Sequence, residues 1–468
     1  MLLDKVAQCA APMLLSFTLA IFWQTQAAAF DLSAPRGQKT VRHSLNEVCI
    51  IPKNFPLSAN QKADKKQEEM CGWDFYADAR KIKLEAKNNS TNPAVIVSVF
   101  DQGKGEFARE AKLKSSVTCS YAPAILAYYQ LSRYLGGAGN VPEAVLRTMN
   151  LAKHKKIREA GRTSSIASMW ASWDKYYREL SPSVFTNDKK QIYGALTDIA
   201  KQERFFSEIY GSPSARTPEA RLAAFRATAV YKAMTNSAPL ASLIPARVDI
   251  QLVAKPNIGS VTQDDKLRRT VQWTQYVRDL ADMVLLDSLL NQQDRFGNQH
   301  KKAFIYQFVE GGKIKKHKVK AAKNRQGKAL GWSIGAEEKA LLEQGGVLIE
   351  EMLLKDNDCG GSRKTNVQMS AGTAEKIRHV HPESYFRLVK LNAALRQEQD
   401  LPASQRTLER YFSNELLFTD NDLRMFRSNL EKTAAAMRKN CKAGLLKLDA
   451  DILVQLGKKP MPASCEPD

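Results

Sequence analysis

Residues 287–298 read Asp-Ser-Leu-Leu-Asn-Gln-Gln-Asp-Arg-Phe-Gly-Asn, and residues 352–361 read Met-Leu-Leu-Lys-Asp-Asn-Asp-Cys-Gly-Gly. The first segment leads from a helical pattern into a loop, and the second leads from an apolar strand pattern into a glycine-rich turn. They place Asp294 and Asn298 on one loop and Asp356 at the end of the later strand. Phosphoryl transfer depends on positioning and on charge stabilisation through such oxygen ligands. The two segments therefore predict a phosphoryl-transfer site.

Strand patterns earlier in the chain supply candidate phosphate-binding lysines. Residues 81–86, 94–100 and 106–114 are alternating or β-branched, and each run predicts a strand. Lys112 and Lys114 end the third strand on one face, because side chains two residues apart point the same way. Either ammonium group could reach the phosphates of a nucleotide.

A glycine-containing turn joins the second and third of these strands. Residues 101–105 read Asp-Gln-Gly-Lys-Gly, which is typical of a hairpin turn. We expect this turn, with Gly103 and Gly105, to lie over the bound phosphates. A helical pattern at residues 121–135 follows the third strand.

These features resemble a known family. Lys114, the helix Ala-Pro-Ala-Ile-Leu-Ala-Tyr-Tyr-Gln-Leu-Ser-Arg-Tyr-Leu-Gly (residues 122–136) and Asn-Val-Pro (residues 140–142) are similar, in this order, to the small lobe of the secretory-pathway kinases typified by the Golgi casein kinase. The resemblance continues at residues 286–295 and 355–361. The Asp-Arg-x-Gly-Asn sequence is also similar to the catalytic loop of phosphoinositide kinases. The resemblance covers three separate segments and is not an end-to-end match.

The resemblance implies a site that binds ATP with Mg or Mn. Its catalytic residues would be Asp294, as the base, and Arg295, which would brace the loop. Lys114 or Lys112 would bind phosphate beneath the turn of Gly103 and Gly105. Asn298, Asp356 and Asp358 would bind the metal. Asp287 would support the loop.

Two positions depart from the family pattern. Ile125 stands where the helix usually carries a Glu that pairs with the lysine, so this ion pair would be absent or supplied by Glu106 or Glu110. Phe296 follows Arg295 at a position where the family usually has His. Both departures leave open an inactive kinase.

Strands followed by helices predict an α+β chain. The resemblance narrows this to a two-lobed, protein-kinase-like fold with a small β-rich lobe and a larger, mainly helical lobe. Residues 142–257 read as mostly helical, and residues 265–290 as one long helix. The expected divisions are a signal peptide at 1–29, an N-terminal extension at 30–78, a β-rich nucleotide-binding lobe at 79–145, and a mainly helical catalytic lobe at 146–468 with a basic insertion at 299–346.

The N-terminus and the cysteines predict export. An apolar run followed by Ala-Ala-Ala at residues 27–29 is typical of a cleaved secretory signal, and the run is shorter than the ~20 apolar residues that span a bilayer. Of seven cysteines, Cys9 lies in this signal, and the even number that remains favours disulfides in a periplasmic or secreted protein, as in bacteria. The pairs that close the shortest loops are Cys49 with Cys71 and Cys441 with Cys465. They leave Cys119 to pair with Cys359.

The chain is strongly basic, with 70 Lys and Arg residues against 49 Asp and Glu residues and a formal net charge of +21. Such a charge favours acidic partners. Much of it lies in the insertion, whose basic residues are Lys301, Lys302, Lys313, Lys315, Lys316, Lys318, Lys320, Lys323, Arg325 and Lys328. This run predicts either a solvated hairpin or a docking patch for an acidic acceptor beside the active site.

Two other patterns each allow a functional and a structural interpretation. Phe304, Tyr306 and Phe308 alternate within the insertion and could stack nucleic-acid bases, but a buried core explains them equally well and export argues against nucleic acid as a partner. His379 and His381 lie two residues apart, and we expect a surface turn there, not a metal site.

The expected function is transfer of the ATP γ-phosphate to a hydroxyl of a protein, glycan or lipid head-group acceptor. The alternative is a non-catalytic pseudokinase or scaffold that binds an acidic partner through the basic insertion, and Ile125 favours this alternative. A basic helical nucleic-acid binder is a third possibility. After the signal, we expect no transmembrane segment.

Overall fold

The computed structural model is a mixed α+β protein in which an antiparallel sheet precedes a more helical C-terminal portion. The expected signal peptide, Cys119 and Asn298 lie outside the described residues, as do Arg325 and Lys328. The described residues are 37–42, 47–58, 64–87, 93–103, 105–116, 120–162, 173–174, 177, 190–199, 217–250, 252–254, 265–296, 299–324, 329–363 and 374–466.

Seven antiparallel strands form the N-terminal sheet. They are β1 (Gln38–Arg42), β2 (Glu47–Ile51), β3 (Ile82–Ala86), β4 (Ala94–Asp101), β5 (Glu106–Ser115), β6 (Ala144–Asn150) and β7 (Gln191–Asp198). Their order is β1-β2-β6-β7-β5-β4-β3. The three strand patterns read from the sequence are confirmed as β3, β4 and β5. The sheet extends beyond the segment 79–145, because β1, β2 and β7 also belong to it.

The expectation that residues 142–257 are mostly helical is wrong at β6 and β7. Both strands lie inside the sheet, and every residue of β7 is buried. Burial on both faces removes the alternation that marks a half-exposed strand, so a short buried strand resembles a buried helical segment. Ala, Leu, Arg and Met in β6 also favour helix locally. Pairing within the sheet overrides that preference.

Helices cover both faces of the sheet. Helix α2 (Ala122–Tyr134) packs on one face, in a core that includes Leu146 of β6. Helices α1 (Lys65–Gly72) and α3 (Leu151–Gly161) pack on the other face, in a core that includes Leu113 of β5. Because Leu113 points away from α2, its neighbours on β5 point toward it.

One long helix organises the C-terminal portion. Helix α6 (Asp265–Leu290) has the bounds that the sequence predicts, and most of its residues are buried. It packs against α2 and against the strand that ends at Leu354. The other helices are α4 (Pro218–Ala227), α5 (Ala229–Met234), α7 (Ala336–Glu343), α8 (Pro382–Gln397), α9 (Thr407–Arg410), α10 (Asp420–Lys442) and α11 (Ile452–Gln455).

The insertion supplies two strands to each of two small three-stranded sheets. The first contains β9 (Gln299–Val309), β10 (Lys313–Val319) and β13 (Val347–Leu354), in the order β10-β9-β13. The strand expected at 347–354 is thus confirmed. The second contains β8 (Leu252–Ala254), β11 (Ala321–Lys323) and β12 (Ala329–Ile334), in the order β11-β12-β8.

The aromatic side chains of β9 belong to the core. Tyr306 is 1% exposed and its hydroxyl donates to Glu351, while Phe304 and Phe308 are partly buried in the same cluster. The buried-core explanation of these residues is therefore confirmed. Base stacking would require exposed rings.

The expected surface turn at His379 and His381 is wrong. His379 is fully buried, with Nδ1 2.7 Å from Asp449 Oδ1 and Nε2 2.7 Å from the carbonyl oxygen of Asn236. His381 is 8% exposed and lies 3.7 Å from Asp451. Both rings help to join the C-terminal segment to the helical portion.

Two of the expected disulfides are confirmed, Cys49–Cys71 and Cys441–Cys465. Cys359 is also disulfide-bonded, while its expected partner lies outside the described residues. Disulfides are consistent with an oxidising, extracytoplasmic compartment. Within the described ranges, no helix is long and apolar enough to cross a membrane.

A buried histidine should make the stability depend on pH. Burial of His154 against Trp173 lowers its pKa from 6.5 to about 3. The unfolded chain gains a proton near pH 6.5 that the folded protein does not accept, so the free energy of unfolding should fall as the pH falls from about 6.5 toward 3. The expected slope is about 1.4 kcal/mol per pH unit.

Urea denaturation between pH 7 and 5 measures this slope. His154→Gln should reduce it by about 1.4 kcal/mol per pH unit, because Gln does not titrate. Gln405→Ala, at an exposed position, is the control and should leave the slope unchanged, because neither side chain titrates. An unaltered slope in His154→Gln would contradict the assignment.

Candidate functional site

Two lysines of β5 face the helical portion. Lys112 and Lys114 are 6% and 5% exposed, and β5 lies inside the sheet between β4 and β7. The expectation that both lysines share one face is confirmed, because the two ammonium groups contact the same carboxylate. Burial of two ammonium groups is costly unless anionic partners compensate.

Those partners are the aspartates that follow β13. Asp356 has a left-handed backbone conformation with φ 51°, which turns the chain sharply and which Asp tolerates better than most residues. Lys114 Nζ lies 3.0 Å from Asp356 Oδ1 and 2.9 Å from Asp358 Oδ2. Lys112 also forms an ion pair with Asp356 Oδ1. Four of the predicted binding residues, Lys112, Lys114, Asp356 and Asp358, therefore meet in one cluster.

The charges of this cluster determine its protonation. Burial raises the pKa of Asp356, but Lys112 and Lys114 more than offset this and hold it well below its usual range. The pKa of Asp358 is also lowered, because Lys114 outweighs burial. Burial lowers the pKa of Lys114, but the two carboxylates more than compensate and raise it. At neutral pH, Lys114 is an ammonium group between two carboxylates.

Each aspartate retains a carboxylate oxygen that this cluster does not use. Both lysines contact Oδ1 of Asp356, and Lys114 contacts Oδ2 of Asp358. Within the described part of the chain, no hydrogen bond reaches Asp356 Oδ2 or Asp358 Oδ1. These two oxygens can accept a cation while the lysines remain bound to the other two.

A buried ion pair supports the cluster from below. Arg295 is fully buried and binds Asp287 through two bonds, from Nε to Oδ2 at 2.8 Å and from Nη2 to Oδ1 at 2.7 Å. The Tyr128 hydroxyl of α2 donates to the same carboxylate at 2.8 Å. Arg295 also donates to the carbonyl of Lys355 at 3.0 Å and to Asn357 Oδ1 at 2.9 Å. The predicted bracing roles of Arg295 and Asp287 agree with these contacts.

Backbone contacts join the loop after α6 to the turn after β13. The Gly361 N–H donates to the carbonyl of Leu290 at 2.7 Å, and the Gln293 N–H donates to the carbonyl of Cys359 at 3.1 Å. A side chain at Gly360 would place its Cβ 2.9 Å from the Leu290 oxygen. Glycine is required there because the two segments approach so closely.

Asp294 lies within electrostatic range of the cluster. It is half-buried, and its backbone N–H donates to Gln292 Oε1 at 3.1 Å. Burial raises its pKa, and the carboxylates of Asp358 and Asp356 raise it further. Asp294 is thus near enough to feel the charge of both aspartates, and its role as a base stays a prediction.

A cleft opens above the cluster. Its volume is about 310 Å³ when the space open to solvent is included. Polar and apolar groups share its walls. They are Lys112, Lys114, Lys355, Asp356, Asn357, Thr197, Ile125, Val141 and Pro142.

Three polar residues of the cleft, Lys355, Thr197 and Asn357, were missed from the sequence. Lys355 is 7% exposed, and its Nζ donates to the carbonyl of Ile199 at 2.7 Å. Burial and the neighbouring Lys112 lower its pKa to about 7. The Thr197 hydroxyl is buried and has no hydrogen-bond partner among the described residues. Only the position of Lys355 beside Asp356 in the sequence could have indicated it, and no local signal marks Thr197.

Several expected contacts are not formed. Gly103 and Gly105 are exposed at the far end of β5, and the distance along the strand from Gly105 to Lys112 is about 23 Å. They therefore do not lie over the lysines. Glu110 pairs with Lys66 at 3.3 Å and not with Lys114. Asn298 cannot be placed, because it lies outside the described residues.

Apolar side chains occupy both positions that depart from the family pattern, and each makes apolar contacts. Ile125 lines the cleft, and Lys114 pairs instead with the aspartates that follow β13. Phe296 is 5% exposed and packs against Phe225, with ring centroids 5.2 Å apart. At both positions the side chain contributes to packing.

Asp287→Asn should lower the free energy of unfolding by about 3 kcal/mol, because it leaves the buried Arg295 without a carboxylate. Urea denaturation measures the loss. Asp265→Asn, on the same helix, is the matched control, since Asp265 pairs with Arg268 and Arg269 at the surface. It should leave stability unchanged, because exposed pairs contribute little. Equal losses in both variants would contradict a supporting role for Asp287.

Comparison with known proteins leaves the site to be interpreted from its own chemistry. The chain matches no protein-family model, and no curated protein or solved structure matches it significantly. Residue types and geometry therefore carry the functional argument.

Proposed function

We propose that this protein is an exported, kinase-like phosphotransferase that moves the γ-phosphate of ATP to a hydroxyl of a protein, glycan or lipid head group. The observation that carries the proposal is the convergence of Lys112, Lys114 and Asp356 on one cleft, with Asp358 bound to Lys114 beside it. These residues come from a strand and a turn more than two hundred positions apart in the sequence. The resemblance to secretory-pathway kinases supports the same proposal, including a two-lobed, kinase-like arrangement.

The charges in the cleft suit a nucleotide polyphosphate. Lys112, Lys114 and Lys355 line its wall, and a bound polyphosphate would favour the ammonium form of each. A triphosphate would draw the lysines toward its oxygens, because the phosphate charge exceeds that of the aspartates. The lysines would then release the carboxylates that they now neutralise. This exchange of partners would couple phosphate binding to metal binding.

The donor set fits a hard divalent cation held jointly with phosphate. Mg²⁺ is commonly bound by one or two carboxylates together with substrate phosphates and water. Asp356 and Asp358 would supply these carboxylates through their unused oxygens, and Asn298 remains a predicted further ligand. No group of three or more His, Cys, Asp or Glu side chains close enough to hold a metal occurs among the described residues, which agrees with a site that phosphate must complete. The cation would neutralise the charge that develops on the transferred group.

Asp294 is the proposed base. Burial and the charges of Asp358 and Asp356 raise its pKa, so its carboxylate binds a proton more tightly than an ordinary Asp does. A base with a raised pKa removes a hydroxyl proton more effectively. Arg295 would hold Asp294 in place through the contacts of its own side chain.

The second candidate function is a non-catalytic pseudokinase or scaffold. The observation that favours it is Ile125, which lines the cleft where the family would place a lysine-pairing Glu. Lys114 instead neutralises the two aspartates on which a metal would depend. Such a protein would retain the fold without turnover. The N-terminal signal pattern and the disulfides support export to the periplasm or outside the cell for either function.

Asp356→Asn should weaken the binding of ATP with Mg or Mn by about tenfold or more, because loss of an interaction with a charged group costs about 1.5–3 kcal/mol. Titration calorimetry on the full chain, with each cation in turn, measures the affinity. Asp400→Asn, at an exposed position, is the control and should bind as the wild type does. Absence of ATP binding by the wild-type protein with either cation would overturn the proposal.

Asp294→Asn separates the enzyme from the pseudokinase. It should lower the rate of ATP turnover by about 10²–10⁴-fold, the usual contribution of a general base, while ATP affinity changes by less than about threefold. Release of phosphate to water in the presence of Mg or Mn provides the assay. A wild-type protein that binds ATP and shows the same turnover as Asp294→Asn would favour the pseudokinase.

A further inference from the structure

Strand β10 forms an open edge that is rich in lysine. It is the outermost strand of the sheet β10-β9-β13 and reads Lys-Ile-Lys-Lys-His-Lys-Val. Among the described residues, only β9 pairs with β10, so the other side of β10 presents backbone N–H and C=O groups that this sheet does not use. This open side ends at Lys320, whose carbonyl oxygen accepts from the Ser333 N–H of β12 at 2.8 Å. Four exposed lysines form the surface named here the β10 edge: Lys313 and Lys315 on one face of the strand, and Lys318 and Lys320 on the other.

The charge of the β10 edge is largely uncompensated. Lys316 differs from the other lysines of this strand, because it lies 2.6 Å from the buried carboxylate of Glu351. For Lys313, Lys315 and Lys320, no salt bridge is found within the described ranges. The β10 edge therefore favours an anionic partner.

The position of the β10 edge sets the length of a partner. Gln299 of β9 pairs with Leu354 of β13, directly before Lys355 and Asp356, so the sheet begins beside the cleft. Val319 pairs with Ala303, about 13 Å along β9 from that end. Because β9 has 11 residues, its other end lies about 33 Å from the end beside the cleft. A partner that contacts the whole β10 edge must therefore extend over about 20 Å, or about six residues of extended polypeptide.

Charge and open backbone together select one class of partner. Lysines on an edge strand prevent pairing with another basic strand, including a second copy of this one. They do not oppose an acidic strand, whose carboxylates would lie beside the ammonium groups. A lipid head group or a free phosphate offers anions but no backbone to pair. A polypeptide strand offers both.

We propose that the β10 edge binds an extended, acidic polypeptide segment as an additional strand of the sheet. Binding at this edge does not require the proposed phosphotransfer. If the cleft is also a kinase site, which rests on the proposed function, the bound segment begins about 13 Å, measured along β9, from the end of the sheet that adjoins this cleft.

Fluorescence anisotropy of a ten-residue peptide of repeating Glu-Glu-Thr, which places carboxylates on both faces of an extended strand, tests the inference when the peptide is added to the full chain. Replacement of Lys313, Lys315, Lys318 and Lys320 by Gln should weaken binding at least tenfold, and higher salt should weaken wild-type binding. The matched control replaces Lys376, Lys390, Lys432 and Lys439, also exposed, by Gln and should bind within twofold of the wild type. Equal binding by the two variants would overturn the inference.

A second probe tests the strand pairing itself. The same peptide with alternate amides N-methylated keeps its charge but cannot complete a strand ladder, so it should bind at least tenfold more weakly. Equal affinity for both peptides would overturn the strand mode, and so would tighter binding to vesicles of anionic phospholipid or to a sulfated glycan. ATP binding by the Gln variant, measured separately, should match the wild type. Loss of ATP binding in every protein would overturn the kinase proposal and leave the docking result intact.

Discussion

The buried ion pair between Arg295 and Asp287 fixes the geometry of the candidate site. The guanidinium group contacts a helix through Asp287 and the turn after β13 through Lys355 and Asn357. Those last two residues flank Asp356, and Arg295 itself follows Asp294. One side chain therefore sets the separation of the two aspartates that the proposed chemistry needs. A buried ion pair is weak evidence for stability by itself, but this one has a positional role that an apolar pair could not perform.

The lysines of β5 depend on the sheet in a different way. An inner antiparallel strand alternates its side chains strictly between two faces. Leu113 fills the core beneath α1 and α3, and this places the flanking Lys112 and Lys114 toward Asp356. A shift of the strand by one residue would bury Leu113 in the cleft and remove both ammonium groups. The register of the sheet is thus part of the site.

Sequence patterns predicted those elements whose local signal and tertiary environment agree. The amphipathic and apolar runs of α6 and β13 gave correct bounds, and the alternation of β5 gave the common face of its lysines. Patterns failed at β6 and β7, because burial on both faces leaves no alternation to read. The candidate site shows the same difference between residues that a local pattern marks and residues that only tertiary pairing brings in. Asp294 and Asp356 belong to local motifs, whereas Thr197 reaches the cleft only because its strand pairs with β5. The predicted position of the hairpin glycines was wrong, because a motif does not give the distance along a strand.

The disulfide at Cys359 links assembly of the cleft to the redox state of the surroundings. Cys359 directly follows Asp358, and its carbonyl oxygen accepts the bond that joins the turn to the loop of Asp294. A chain still in a reducing environment lacks the covalent constraint on this turn. Its carboxylates then depend on non-covalent contacts alone for their position. In an oxidising compartment the disulfide adds a covalent constraint to the turn that carries both aspartates.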